Sequence, residues 1–329
     1  MGPPAGLTIR PYAGEKDLGA IVSVLNAQNV ADGIDERRSV EGETAWYAHR
    51  SEQFDAARDV VLAELDGAVV GVAGQDWIDT RDGQLREYRL WGAVDPMHRR
   101  RGIGTALLAD NERRARGLAA AQRPDRPVAV ASFAADGRPA ARLLECAGYG
   151  TTRWFFDMVR PTLEDLGNPD GLPAGLELRP VTPDQHLTIW RANREAFQDH
   201  WGGSDESEEQ MHRILDEPDT DTDLWLIAWD GDEVAGGVWN VIYAAENEEL
   251  GFRRGWLDSV FTRRAWRRRG LARALIGRSL AVLRDRGMTS AALGVDGANP
   301  TGALGLYEAA GFEIHERYTA YRKPMEEDP

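Results

Sequence analysis

The feature that most restricts this chain is that it is written twice. Arg99-Arg100-Arg101-Gly102-Ile103-Gly104 returns as Arg267-Arg268-Arg269-Gly270-Leu271-Ala272, an offset of 168 (267 − 99). Arg10-Pro11 returns as Arg179-Pro180 at an offset of 169 (179 − 10), and Gly148-Tyr149 as Gly311-Phe312 at 163 (311 − 148). Near-constant spacing of three separate landmarks implies duplication. A chain of 329 residues has room for two domains that each bury a core of their own. The expected division is 1–162, a turn-rich linker over 163–175 that holds Asn168-Pro169-Asp170-Gly171, and 176–329.

Within each copy the order predicts a mixed α/β unit around one central sheet flanked by helices. Helical periodicity over 17–27 and 183–197 follows the Arg-Pro segments. Strands are expected at 60–65 with 69–74, and at 224–229 with 234–242, turning at Asp66-Gly67 and Asp230-Gly231. A strand at 89–94 or 255–262 then leads into the arginine–glycine turn and a helix at 104–116 or 272–286. A further strand, helix and terminal strand close each copy.

A turn between strand and helix is where an anion belongs. The first N–H groups of a helix lack partners, the dipole is positive there, and glycine lets a diphosphate approach the backbone. Arginine side chains add donors for phosphate oxygens.

Composition narrows the remaining choices. The formal net charge of −15 argues against nucleic acid as a partner and favours a cationic one. Nine acidic residues and one arginine between Asp205 and Asp223 agree with that preference and also suit a solvated loop. No apolar run reaches membrane-spanning length and the first residues carry no signal pattern, so a cytoplasmic protein is expected. The six histidines lack metal-ligand spacing, so no metal is implied. The single cysteine, Cys146, lies among apolar neighbours and reads as a core residue.

The second copy carries a longer pattern: Val260-Phe261-Thr262, Arg267 to Ala272, Asn299, Ala303, Tyr307-Glu308 and Gly311-Phe312. In this order the residues resemble the GNAT acyltransferase superfamily, and the tandem layout resembles its mycothiol-synthase-like actinobacterial members. The resemblance covers nearly the whole chain and is strongest over 256–324. It implies two tandem GNAT-like domains and acetyl-CoA as co-substrate. In the family's terms the backbone of Val260, Phe261 and Thr262 would pair with the pantetheine arm. The turn formed by Arg267, Arg268, Arg269, Gly270, Leu271, Ala272 and Arg273 would hold the pyrophosphate, and Asn299 would fix the strand end. Tyr307 would protonate the departing thiolate.

A base must also take a proton from the attacking ammonium. Several family members place a glutamate four residues before Val260, where this chain has Trp256. Asp258 is the candidate that remains on the strand, expected on the same face as Val260 by simple alternation; Glu248, Glu249 and His200 are alternatives. In the first copy Val94, Arg99, Gly102 and Gly104 keep the cofactor-binding pattern, while Leu144 stands where Tyr307 does and Asp136 where Asn299 does. Leucine donates no proton, so the first copy is expected to be structural or degenerate.

The reaction expected is acetyl transfer from acetyl-CoA directly to a primary amine of a small molecule, in the second copy. A cysteinyl amino sugar as acceptor, and a non-catalytic acyl-CoA sensor, are the alternatives. The oligomeric state is not legible in the sequence.

Overall fold

The computed structural model describes residues 2–203, 205–299 and 302–325. The chain forms two compact units: 1–153 with 202–205 and 318–329, and 154–201 with 206–317.

The first unit begins with β1 (Thr8–Pro11), α1 (Leu18–Asp32), α2 (Val40–Ala48) and the single turn α3 (Ala56–Asp59). There follow β2 (Val60–Leu65), β3 (Ala68–Asp79), β4 (Arg86–Val94), α4 (Ile103–Gln122), β5 (Val128–Ala135) and α5 (Pro139–Cys146). Asp66 (φ 53°) and Gly67 (φ 81°) are both left-handed, as a two-residue hairpin turn requires, and join β2 to β3 as expected. The strands run β1-β2-β3-β4-β5, antiparallel except for parallel β4 and β5.

The second unit holds β6 (Gly150–Arg160), β7 (Glu177–Arg179), α6 (His186–Ala196), α7 (Glu208–Leu215), β8 (Leu226–Asp230) and β9 (Glu233–Val241). It continues with α8 (Ala244–Leu250), β10 (Arg254–Thr262), α9 (Leu271–Asp285), β11 (Ser290–Asp296) and α10 (Ala303–Ala309). Thr301, the residue from which sequence periodicity starts the last helix, lies outside the described residues. The last strand, β12 (Glu313–Pro324), leaves this unit along its length.

The units exchange their closing strands. Residues 155–160 of β6 pair antiparallel with β11, and residues 318–324 of β12 pair antiparallel with β5. Compactness therefore does not follow chain order, and the units differ from the consecutive spans 1–162 and 176–329. Tyr321 and Met325 lie in the core of the first unit beside Tyr88, Leu144 and Tyr149. Met158 lies in that of the second beside Leu257, Leu275 and Tyr307. The stretch read as a linker packs on the second unit: Leu163 is buried, and Leu166 and Leu172 rest against the same core.

In the second unit one layer under α6 is built on aromatic rings. Trp225 and Trp239 stack with centroids 4.5 Å apart, and Trp190 and Trp239 at 6.1 Å. Trp225 and Trp229 share this face, as alternation along the strand requires. Cys146 departs from expectation: it is exposed, because α5 buries Ala141 and Leu144 and position 146 turns away from that stripe.

Candidate active site

Two parallel strands that part company make the frame. β10 pairs with β11 only at Arg254↔Ser290, Gly255↔Ala291 and Trp256↔Ala292, yet runs on to Thr262. From residue 257 onward, the edge of β10 that would face β11 carries no ladder to it, and such an edge accepts an extended ligand as an added strand. β4 leaves β5 in the same way after Arg89↔Ala131.

The arginine–glycine turn closes the wide end of each gap. Arg268 (φ 61°) and Gly270 (φ 85°) are left-handed, and Arg100 (φ 63°) and Gly102 (φ 84°) match them. The first intrahelical bonds run from Ala274 N–H to Gly270 O (3.1 Å) and from Ala106 N–H to Gly102 O (3.0 Å). The N–H groups of Leu271, Ala272 and Arg273, and those of Ile103, Gly104 and Thr105, therefore precede the ladder and point outward. An added Cβ on Gly270 would meet nothing within 4 Å, so glycine is required there by the sign of φ and by what must approach, not by crowding from the protein.

The arginines divide their labour. Arg267 donates to Thr262 O (Nε, 3.0 Å), Ala196 O (Nη2, 2.9 Å) and Asp199 Oδ2 (Nη1, 2.6 Å), tying α6 to the end of β10. Asp199 also accepts from Arg264, and these two guanidiniums hold its carboxyl below the usual carboxylate range. Arg99 grips Asp32 through both terminal nitrogens (2.6 and 2.8 Å). The first arginine of each triplet is thus spent on the fold, whereas Arg268, Arg269 and Arg273 are exposed beside the open amides. Phe261 and Leu271 bury their side chains in the core, and Val260 packs half-buried against it, so they offer a ligand only backbone.

The two gaps differ along this edge. In the first unit the N–H of Val94 donates to Gln28 Oε1 at 3.2 Å, so α1 already occupies it. Among the described residues no side chain does this for Thr262, whose own Oγ1 is buried without a partner. The difference repeats at the last helix. Phe312 N–H bonds Tyr307 O (3.0 Å) as Tyr149 N–H bonds Leu144 O (3.1 Å), so the two C-termini superimpose in pattern and put leucine where the second unit has tyrosine. Tyr307 is 7% exposed, edge-on to Phe312 at 6.2 Å, and burial alone pushes its hydroxyl up to about 12. Asn299 sits before α10 with its N–H on Asp296 O (3.0 Å).

Asp258 lies at a β-bulge. Leu257 pairs with Asn240 and Ser259 with the adjacent Trp239, which leaves Asp258 as the extra residue. This overturns the expectation that Asp258 shares Val260's face. Leu257 and Val260 pack toward α9, Ser259 and Phe261 toward α6, and Asp258 faces Arg194 of α6. Asp258 is exposed to solvent, and the protein packed about the bulge still removes part of its hydration. That desolvation raises its carboxyl above the ordinary range, and Arg194 pulls it back.

Sequence reasoning missed the neighbours of this carboxylate. Tyr243 lies edge-on to Trp256 at 6.3 Å, and its hydroxyl is raised by burial and by Asp258, Glu217, Glu246 and Asp219. The Trp256 indole donates to buried Glu246 (Nε1 to Oε1, 3.4 Å). Glu248 and Glu249, the carboxylates weighed from the sequence, are on α8 with Glu248 exposed, and it is Glu246 that turns inward. The signal available was the helical spacing of Glu246 against Tyr243. His200 packs on the Phe197 ring at 4.4 Å. Among the described residues no group of His, Cys, Asp and Glu is arranged to hold a metal, and no helix is long and apolar enough to cross a membrane.

This geometry can be set beside known proteins. Residues 188–312 match the sequence pattern of the Acetyltransferase (GNAT) family and residues 56–149 that of the Acetyltransferase (GNAT) domain. The mycothiol acetyltransferase of Thermobispora bispora is 31% identical over 319 residues, covering 96% of this chain and 98% of the relative. The chain belongs to the GNAT acetyltransferase family. Its tandem form recurs in solved GNAT structures. A GCN5-related N-acetyltransferase from Sphaerobacter thermophilus superimposes with a TM-score of 0.72 at 27% identity, over 98% of this chain and 96% of that one. A tandem GNAT protein from the clavulanic acid biosynthesis pathway does so at 0.71 over 98% and 100%, and at 17% identity shares the fold.

As a GNAT protein this chain is an N-acetyltransferase with acetyl-CoA as acyl donor. The second unit fits that donor: an open strand edge, an orphaned buried hydroxyl on Thr262, and a turn of outward amides beside exposed arginines.

Proposed function

We propose that the second unit transfers acetyl from acetyl-CoA directly to a primary amine of a small, positively charged molecule, and that the first unit is the structural half. The observation that carries this reading is the pairing of an open β10 edge with Tyr307, against a β4 edge taken by Gln28 and a leucine at position 144.

The amides of Leu271, Ala272 and Arg273, with Arg268 and Arg269, hold the pyrophosphate, and the backbone of Val260 to Thr262 holds the pantetheine arm. A backbone N–H near Val260 or Phe261 faces the oxygen that gains negative charge. Asp258 takes the proton from the attacking ammonium, directly or through water, and its raised carboxyl brings it closer to the working pH of a base. Tyr307 gives its proton to the sulfur that leaves, and with no protein charge acting on it and a hydroxyl near 12 it stays protonated until then. Asn299 steadies the end of the gap. The cationic character of the acceptor is supported by the carboxylates that gather about Tyr243 and by the Tyr243 and Trp256 rings. Val94, Arg99, Gly102 and Gly104 preserve the same turn in the first unit, where it serves the fold.

One further reading of the acceptor is favoured by the relatives' name. A mycothiol acetyltransferase aligned over nearly the whole chain makes a cysteinyl amino sugar, also an amine, the first compound to offer.

Calorimetric titration of acetyl-CoA into the wild type, Gly102→Glu and Gly270→Glu tests the assignment of halves. One site, lost only in Gly270→Glu, is expected. Loss with Gly102→Glu alone would transfer the chemistry to the first unit. Amines, the cysteinyl amino sugar first, are then screened by thiol release.

A further inference from the structure

The bulge in β10 has to be held, because an extra residue costs a strand its regular ladder. β4, running Gly71↔Val94 to Asp79↔Arg86 with no shift, has none. What grips the bulge in β10 comes from α6. Asn193 is fully buried, and its Nδ2 donates to Ser259 Oγ at 2.8 Å, one residue beyond Asp258. A buried amide must satisfy its oxygen as well as its nitrogen. Asn193 Oδ1 accepts from Arg194, through Nε at 3.1 Å and through Nη2. The Arg194 guanidinium in turn lies over the Trp190 ring at 4.3 Å and reaches that of Phe197 at 5.8 Å.

We propose that Asn193 and Arg194 are positioning residues of the transferase site: Asn193 pins the bulge through Ser259 so that Asp258 is presented to the acceptor, and Arg194 fixes Asn193 while setting a cation beside Asp258. The proposal rests on the reading of Asp258 as the base. Among the described residues, the charged or titratable groups that act with Asp258 are Arg194 from α6 and the Tyr243 phenol at the start of α8. The Tyr243 hydroxyl is faced in turn by Glu217, Asp219 and Glu246. Arg194 is then the cation that keeps Asp258 able to ionise in acidic company, and it is prevented from leaving by the rings on which it lies.

The test needs no acceptor. The full chain is labelled with [13Cγ]aspartate, the Asp258 resonance is assigned by its loss in Asp258→Asn, and its pH titration is followed. Arg194→Gln should move the Asp258 midpoint upward by about one pH unit or more, and Arg194→Lys should restore most of it. An unmoved midpoint in Arg194→Gln, with acetyl-CoA binding retained as proof of folding, overturns the electrostatic part. Hydrogen exchange over 254–262 tests the pin. Ser259→Ala should speed exchange of the amides about the bulge while the rest of β10 keeps its protection, and unchanged exchange overturns that part. If Asp258→Asn turned over an identified amine at the wild-type rate, the base assignment would fall while both of these results stood.

Discussion

Backbone for backbone, the two arginine–glycine turns are the same object: φ of 63° and 84° at Arg100 and Gly102, 61° and 85° at Arg268 and Gly270. Their surroundings are not. The first unit meets its turn with a regular β4, a Gln28 side chain on the strand edge and Leu144 on the last helix. The second meets it with a bulged β10, an open edge and Tyr307. A phosphate-binding turn is also a good way to start a helix after a strand, so the fold alone is reason enough to keep it. The turn therefore says little about which copy works. The edge, the bulge and the hydroxyl are the features on which the proposed assignment to the second copy rests.

The sharpest way to break this contrast is to make the second unit resemble the first at one atom. Tyr307→Phe should lower kcat about 10³-fold with acetyl-CoA affinity unchanged by calorimetry, since the ring and its contact with Phe312 remain. Wild-type turnover would move the acid elsewhere. Next comes the arginine that the fold has claimed. Arg99→Ala leaves Asp32, 7% exposed at its side chain, without its bidentate partner. It should cost about 3 kcal/mol in urea unfolding, and acetyl transfer per folded molecule should not change.

Smaller effects follow from the reverse change. Leu144→Tyr should destabilise by roughly 1–3 kcal/mol through overpacking. It should create no second activity, because β4 still lacks a bulge and Gln28 still holds Val94. The gentlest probe is pH. A base must be ionised, and the raised Asp258 carboxyl places the acid limb of kcat/KM above the ordinary value of about 4; Asp258→Asn should abolish that limb. Tyr307 donates only while protonated, so any alkaline fall well below its value of about 12 has another source and should persist in Tyr307→Phe.

Much of this was readable from residue order. The duplication, the turns, the hairpin at Asp66-Gly67 and the contrast of Leu144 with Tyr307 are local, and local patterns survive translation into structure. The bulge was not readable. It shifts register against a partner strand distant in sequence, and alternation along β10 alone assigns Asp258 to the wrong face. Nor were the duties of the arginines, which depend on where Asp32 and Asp199 come to lie at the ends of α1 and near α6. Glu246 escaped notice because its relevance depends on Trp256 turning an indole N–H toward it. Cys146 was misjudged from apolar neighbours in sequence, when the helix stripe decides.

The exchange of closing strands has a consequence for how the molecule is made. The ribosome releases the first copy complete in sequence but without the strand that finishes its sheet, since β12 is made only after the second copy's last helix. The core around Tyr88 and Tyr149 waits for Tyr321 and Met325. A chain cut after residue 317 would keep Tyr307 and the open edge and wound the opposite unit. Damage to the late strand β12 is thus felt in the early unit that it completes.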